Sequence, residues 1–194
     1  MGGKLRCPIE YSFKCCGLKS ALHRYIIMLE LIKTYYAYNS WATDSTFASC
    51  EQLSLEEYNA PGCSGNGSVG GTLSHLILVQ QGWLAWFEGT TDLRDAVKIM
   101  DSAPFATLGE ARARWTSIDE ETNRFINTLT DASVEEIRSF TRMSGKKEAH
   151  PFWKLLMHEA NHGTHTRGQI IASIRRFGHE PANLDFLNYV MTAA

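Results

Sequence analysis

Apolar and polar positions along this chain fall into four long segments with helical spacing, separated by short breaks. The first runs from about Leu22 to Leu53, where Ile26, Leu29, Ile32 and Tyr36 recur at three- and four-residue steps. The second, Ser68 to Glu88, puts Leu73, Leu76, Ile77, Gln80, Trp83, Leu84 and Phe87 on one face and closes at Gly89. The third opens at Thr107, with Glu110 three residues on as a capping box, and runs to about Leu129. Its stripe is Ala111, Trp115, Ile118, Thr122, Phe125 and Leu129. The fourth is Phe152 to Phe177, entered through Pro151 and left through Arg175, Arg176 and Gly178, a helix start and a helix end by residue type. Its apolar ends, Leu155–Leu156 and Ile170–Ile174, enclose a polar middle. Polar groups facing a core need partners, because unpaired ones are costly there. A metal, a ligand or a second polar patch must answer them.

The breaks are shorter and less regular. Ser54 and Glu57 form a capping box for a short turn, and residues 61–67 are a loop by composition. Residues 90–106, with Pro104, read as a loop. Ser133 to Ile137 reads as one helical turn, Ser139 to Ala149 as a small hairpin or an irregular loop, and Asp185 to Val190 as a last turn over the bundle end. The pattern predicts an all-α, up-and-down four-helix bundle spanning 21–194, with 1–20 a tail outside the fold. No repeat, low-complexity tract or internal linker divides it.

Composition narrows the functional classes. A net charge of -2 gives no electrostatic reason to expect nucleic acid. No apolar run is long enough to span a bilayer, so no membrane partner is expected. The start, MGGKLRCP, lacks a secretory core. Five cysteines (Cys7, Cys15, Cys16, Cys50, Cys63) without metal-type spacing read as reduced thiols of a cytoplasmic protein.

The candidate chemistry sits in the fourth segment, which holds His158, His162 and His165. Residues three or four apart share a helix face, so His162 neighbours both other rings. Two imidazoles from one helix and a third from another make a familiar metal site, and His75 in the second segment is the candidate third ligand. The alternative is that His158 and His165 bond to loops or solvent while His75 caps its own helix. Arg167 and Gln169 read as structural ties to neighbouring loops. A third arrangement is a metal-free pocket lined by Trp41, Trp83 and Trp86.

Three ordered motifs extend this picture: Tyr38-Asn39-x-Trp41-Ala42; Gly71-Thr72-Leu73-x-His75-Leu76 with Trp83-Leu84 and Gly89; and Asn161-His162-Gly163-Thr164-His165-x-Arg167-Gly168-Gln169. From about Tyr25 to Val190 the chain closely resembles the DinB/YfiT-like family. The resemblance implies a four-helix bundle, often a homodimer, with a divalent metal, commonly nickel or zinc, on a histidine triad. It also implies kinship to transferases and isomerases that use bacillithiol, mycothiol or glutathione, hence a low-molecular-weight thiol. By the resemblance, the ligands fall on His75, His162 and position 166, where this chain has Thr166, a weaker donor than imidazole. On a helical wheel centred at His162, position 166 lies at about +40°, His158 at about −40° and His165 at about −60°. His158 therefore becomes the third metal residue of the expected set His75, His162 and His158. Two outcomes stay open beside it: the pair binds with waters completing the site, or the site is degenerate. Function follows the same fork. One branch is a metal-dependent hydrolase or thiol S-transferase, with Asn161 or Gln169 orienting the ligands. The other is a non-catalytic dimeric stress-response module.

Overall fold

A computed structural model of the chain describes residues 17–62, 65–142 and 144–192, with 17–27 described by backbone alone. Four long helices dominate it: α1 (Gly17–Cys50), α3 (Val69–Phe87), α5 (Leu108–Thr128) and α7 (Phe152–Arg176). Shorter elements fill the breaks: α2 (Leu55–Asn59), α4 (Leu93–Met100), α6 (Asp131–Glu135), β1 (Ile137–Thr141), β2 (Lys147–Pro151) and α8 (Phe186–Thr192). The expected all-α four-helix bundle is what the chain forms.

Local chemistry sets the helix limits. The Ser54 hydroxyl accepts from the Glu57 amide while the Glu57 carboxylate returns to the Ser54 amide, the complete capping box expected there. Thr107 caps α5 through the Glu110 amide, but the Glu110 carboxylate reaches back to the Ala106 amide rather than to Thr107. Pro151 stands one position before α7 and lends it no side-chain cap; the Phe152 amide instead donates to Glu136 O at 2.8 Å. At the far end Gly178 takes φ +87, and amides 178 and 179 donate to Arg175 O and Ile174 O. That pair of bonds satisfies two helix-end carbonyls, which only a left-handed residue permits.

Two expectations change. Residues 90–106 do not form a plain loop: Asp92 caps the two-turn helix α4, which buries Ala96. Helix α1 also begins at Gly17, five residues before Leu22; of the expected 1–20 tail, residues 1–16 lie outside the described residues. So do Cys7, Cys15, Cys16 and Cys63; Cys50 is a buried free thiol, pushed up to about 12 by burial. The segment 139–149 resolves as the hairpin: β1 and β2 pair antiparallel from Ile137↔Pro151 to Thr141↔Lys147, turning through Gly145 at φ +82.

The four long helices form a closed ring, α1 against α7, α7 against α3, α3 against α5, and α5 against α1. Two apolar clusters fill it. One gathers Phe47, Leu73, Ile77, Trp115, Ile170 and Ile174. The other gathers Ile32, Phe87, Ile126, Phe152 and Leu156. From the order in which each helix passes these clusters, α1 and α7 run one way and α3 and α5 the other. The return leg between α3 and α5 is what contains α4, packed along α3. Close approach is allowed at Gly82, where a Cβ would lie 2.7 Å from Ala96 O. Among the described residues no helix is long and apolar enough to cross a membrane.

Between the clusters each helix contributes buried polar side chains: Asn39 and Thr43 on α1, Gln80 on α3, Thr122 on α5, and Glu159 and Arg167, about two turns apart, on α7. The Asn39 amide donates to Gln80 Oε1 at 3.3 Å, and the Gln80 amide to Thr122 Oγ1 at 3.1 Å. Arg167, 1% exposed, donates to Asn39 Oδ1, to Thr43 Oγ1 and to Thr164 Oγ1. It thus ties α7 to α1 and not to loops as expected. This patch is the partner that the polar middle of α7 required.

Candidate metal centre

Helices α3 and α7 pack side by side, and each presents one imidazole to the other near the level of the polar belt. His75 Nε2 and His162 Nε2 lie 3.3 Å apart, with ring centroids 5.1 Å apart and planes at 70°. Thr166, one turn beyond His162, donates its hydroxyl to His162 O at 2.9 Å and sits 3.4 Å from His162 Nε2. Position 166 therefore lies beside His162, as the resemblance implied, but brings a hydroxyl.

Both rings are partly buried, and their surroundings favour the uncharged form. His162 is lowered to about 4, chiefly by burial and then by its neighbours His75, His158, His165 and Arg167. His75 is lowered by burial, with Asp101 opposing. Neutral imidazole is the form that ligates metals, so at neutral pH neither ring has a proton to lose first. The spacing also fits: two nitrogens about 2.0–2.1 Å from one tetrahedral ion lie roughly 3.3–3.4 Å from each other. The nitrogen separation is thus the one that two imidazole ligands of a tetrahedral ion would have, with Thr166 Oγ1 beside His162. Among the described residues no three His, Cys, Asp or Glu side chains stand together as a metal-holding group.

His158 does not join the pair by any described hydrogen bond; its exposed ring packs edge-on against Trp83 at 5.5 Å. His165 bonds to Gln169 at 2.9 Å. Gln169 therefore serves His165, not the ligand pair, and Asn161 is exposed. Trp41 packs with Tyr38 and Tyr189, whereas Trp83 packs with Trp86, Phe87 and His158, so the three tryptophans do not gather in one pocket.

His158 and Trp83 instead border a cleft of about 710 Å³ in the α3–α7 groove. Its outer walls are α4, through Leu93, Val97 and Met100, and the hairpin, through Phe140, Arg142 and His150. Reading 90–106 as a loop hid the α4 wall. The signal was present, since Leu93, Ala96, Val97 and Met100 follow the i, i+3, i+4, i+7 spacing behind Asp92.

The chain is similar to Protein DinB of Bacillus subtilis (strain 168), 28% identical over 159 residues covering 80% of this chain and 91% of the relative. It is also similar to the Uncharacterized protein YizA of the same organism, 25% identical over 153 residues covering 79% and 92%. A family model described as DinB family matches residues 28–193, which include α3, α5 and α7, α1 from residue 28 onward, and both facing imidazoles. The chain belongs to the DinB family.

Proposed function

We propose that this protein is a divalent-metal-dependent enzyme of hydrolase or thiol S-transferase type, using His75 and His162 as its protein nitrogen ligands. The observation that carries this reading is the 3.3 Å approach of two neutral imidazole nitrogens from separate helices. A divalent ion, zinc or nickel, would supply Lewis acidity that lowers the pKa of water or a low-molecular-weight thiol. The chain's own residues do the rest. Burial favours the unprotonated form of both rings, and the Thr166 hydroxyl stands beside His162. With only two imidazoles, more of the coordination sphere is left to solvent or substrate than in a three-histidine site.

Metal analysis tests it. The purified chain, loaded with zinc or nickel and desalted, should retain close to one equivalent, and His75→Ala or His162→Ala should weaken uptake at least about tenfold. Thr166→His should tighten it. Retention below about a tenth of an equivalent, unchanged by His75→Ala, would refute the reading.

Thr166 favours one rival, a non-catalytic dimeric module whose metal site is degenerate. It shares the expectation of a homodimer, supported by exposed apolar residues on α8: Phe186, Leu187, Val190 and Met191. There Thr166→His would create metal binding absent from the parent chain, and the parent would sediment as a dimer. A cytoplasmic site of action is part of both readings.

A further inference from the structure

We infer that the cleft bounded by α3, α4, α7 and the hairpin is the binding site for a small amphipathic anion, an apolar body with a carboxylate-like group at its outer end. The volume of about 710 Å³ is of metabolite size. Trp83 and Leu155 form its floor, and Leu93, Val97, Met100 and Phe140 its sides, so an apolar body would lose little by leaving water.

The polar groups at its border are one-sided. Arg142, His150, Lys154 and His158 line it, and among the described residues no carboxylate does. Glu148 engages Arg142 at 3.2 Å and also Lys146 and His150, so one acid answers two fixed cations. Lys154, exposed on the first turns of α7, has no carboxylate within ion-pair distance among the described residues and stands 5.4 Å from the Trp153 ring. Asp101, which follows the cleft-lining Met100, acts on His75. A bound anion is therefore drawn outward, to Arg142 and Lys154, and its apolar end inward. His158, at the border of the cleft, lies about one helical turn before His162 on α7, although neither His75 nor His162 lines the cleft itself. The substrate class rests on the metal reading only for the chemistry at this inner end. Binding itself requires no metal.

The test uses the full chain with decanoate and decyltrimethylammonium, equal in tail and opposite in charge, by calorimetry and tryptophan fluorescence, with and without zinc. Decanoate should bind at least about tenfold more tightly than the cation, because charge-assisted contacts set the difference. Arg142→Gln with Lys154→Met, both exposed and harmless to the fold, should weaken decanoate about tenfold. Val97→Glu should do the same from the opposite wall. No decanoate binding, equal binding of the cation, or variants that bind as the parent would each overturn the inference. Failure of the metal reading looks different: zinc uptake is absent while decanoate keeps its charge preference.

Discussion

Glu159→Gln should make the protein more stable above neutral pH and leave it nearly unchanged at pH 4.5. Glu159 is 3% exposed in the polar belt, and one carboxylate oxygen has no hydrogen-bond partner. Burial raises its pKa from 4.5 to about 7, with Tyr36 and then Arg167 opposing part of the rise. Between those two values the folded chain holds a proton that the unfolded chain has released. Stability supplied by the neutral carboxyl is therefore complete below about pH 4.5 and is lost as pH climbs through about 7. A gap of about 2.5 units corresponds to roughly 3 kcal/mol at most, since one unit is about 1.4 kcal/mol. Glutamine has the shape of the protonated acid and cannot ionise. At pH 8 the variant should unfold about 6–12 °C higher than the parent, taking about 2–4 °C per kcal/mol for a chain of this size. Thermal unfolding followed by circular dichroism from pH 4.5 to 8.5 measures both slopes. A variant equal to or less stable than the parent at pH 8 would show that Arg167 fully compensates the charge, and the reasoning would fail.

His162 supplies the opposite slope. Its lowered pKa gives stability that is present above about 6.5 and lost as pH falls toward about 4, so His162→Gln should flatten the acid side of the same profile. Two glycines of α7 should behave differently on substitution by alanine. At Gly163 a Cβ would meet Asn39 Oδ1 at 2.7 Å and Arg167 Nη1 at 3.0 Å, so Gly163→Ala should cost about 1–3 kcal/mol, read from urea unfolding. Gly168 meets nothing within 4 Å, and Gly168→Ala should add up to about 1 kcal/mol by helix propensity. Gly82→Ala should push α4 off α3, lowering the melting temperature and raising hydrogen exchange in Leu93–Met100.

The long helices were legible because their apolar stripes extend over many turns, and Gln80 and Thr122 already stood on core-facing stripes in the sequence. Helix α4 was not: its eight residues are flanked by Gly89 and Pro104, and a short periodic run there reads as loop. The imidazole pair was legible because it needed only the family motifs and a contact between two helices. His158 was placed near it from wheel angles alone, which carry no information on the Trp83 ring that holds it in the groove. Arg167 was given a loop as partner because nothing local says that α1 lies behind it; its acceptors on α1, Asn39 and Thr43, are over a hundred residues away in sequence.

The polar belt carries one last consequence. Apolar contacts on either side of it are permissive: leucines and isoleucines can mesh in several offsets at comparable energy. A slide of α7 by a single turn, about 5.4 Å, would push a guanidinium into aliphatic surroundings and leave Asn39 and Gln80 facing nothing that can answer them. The belt thus indexes four greasy rods to one another, and the same indexing holds the two imidazoles opposite each other between α3 and α7.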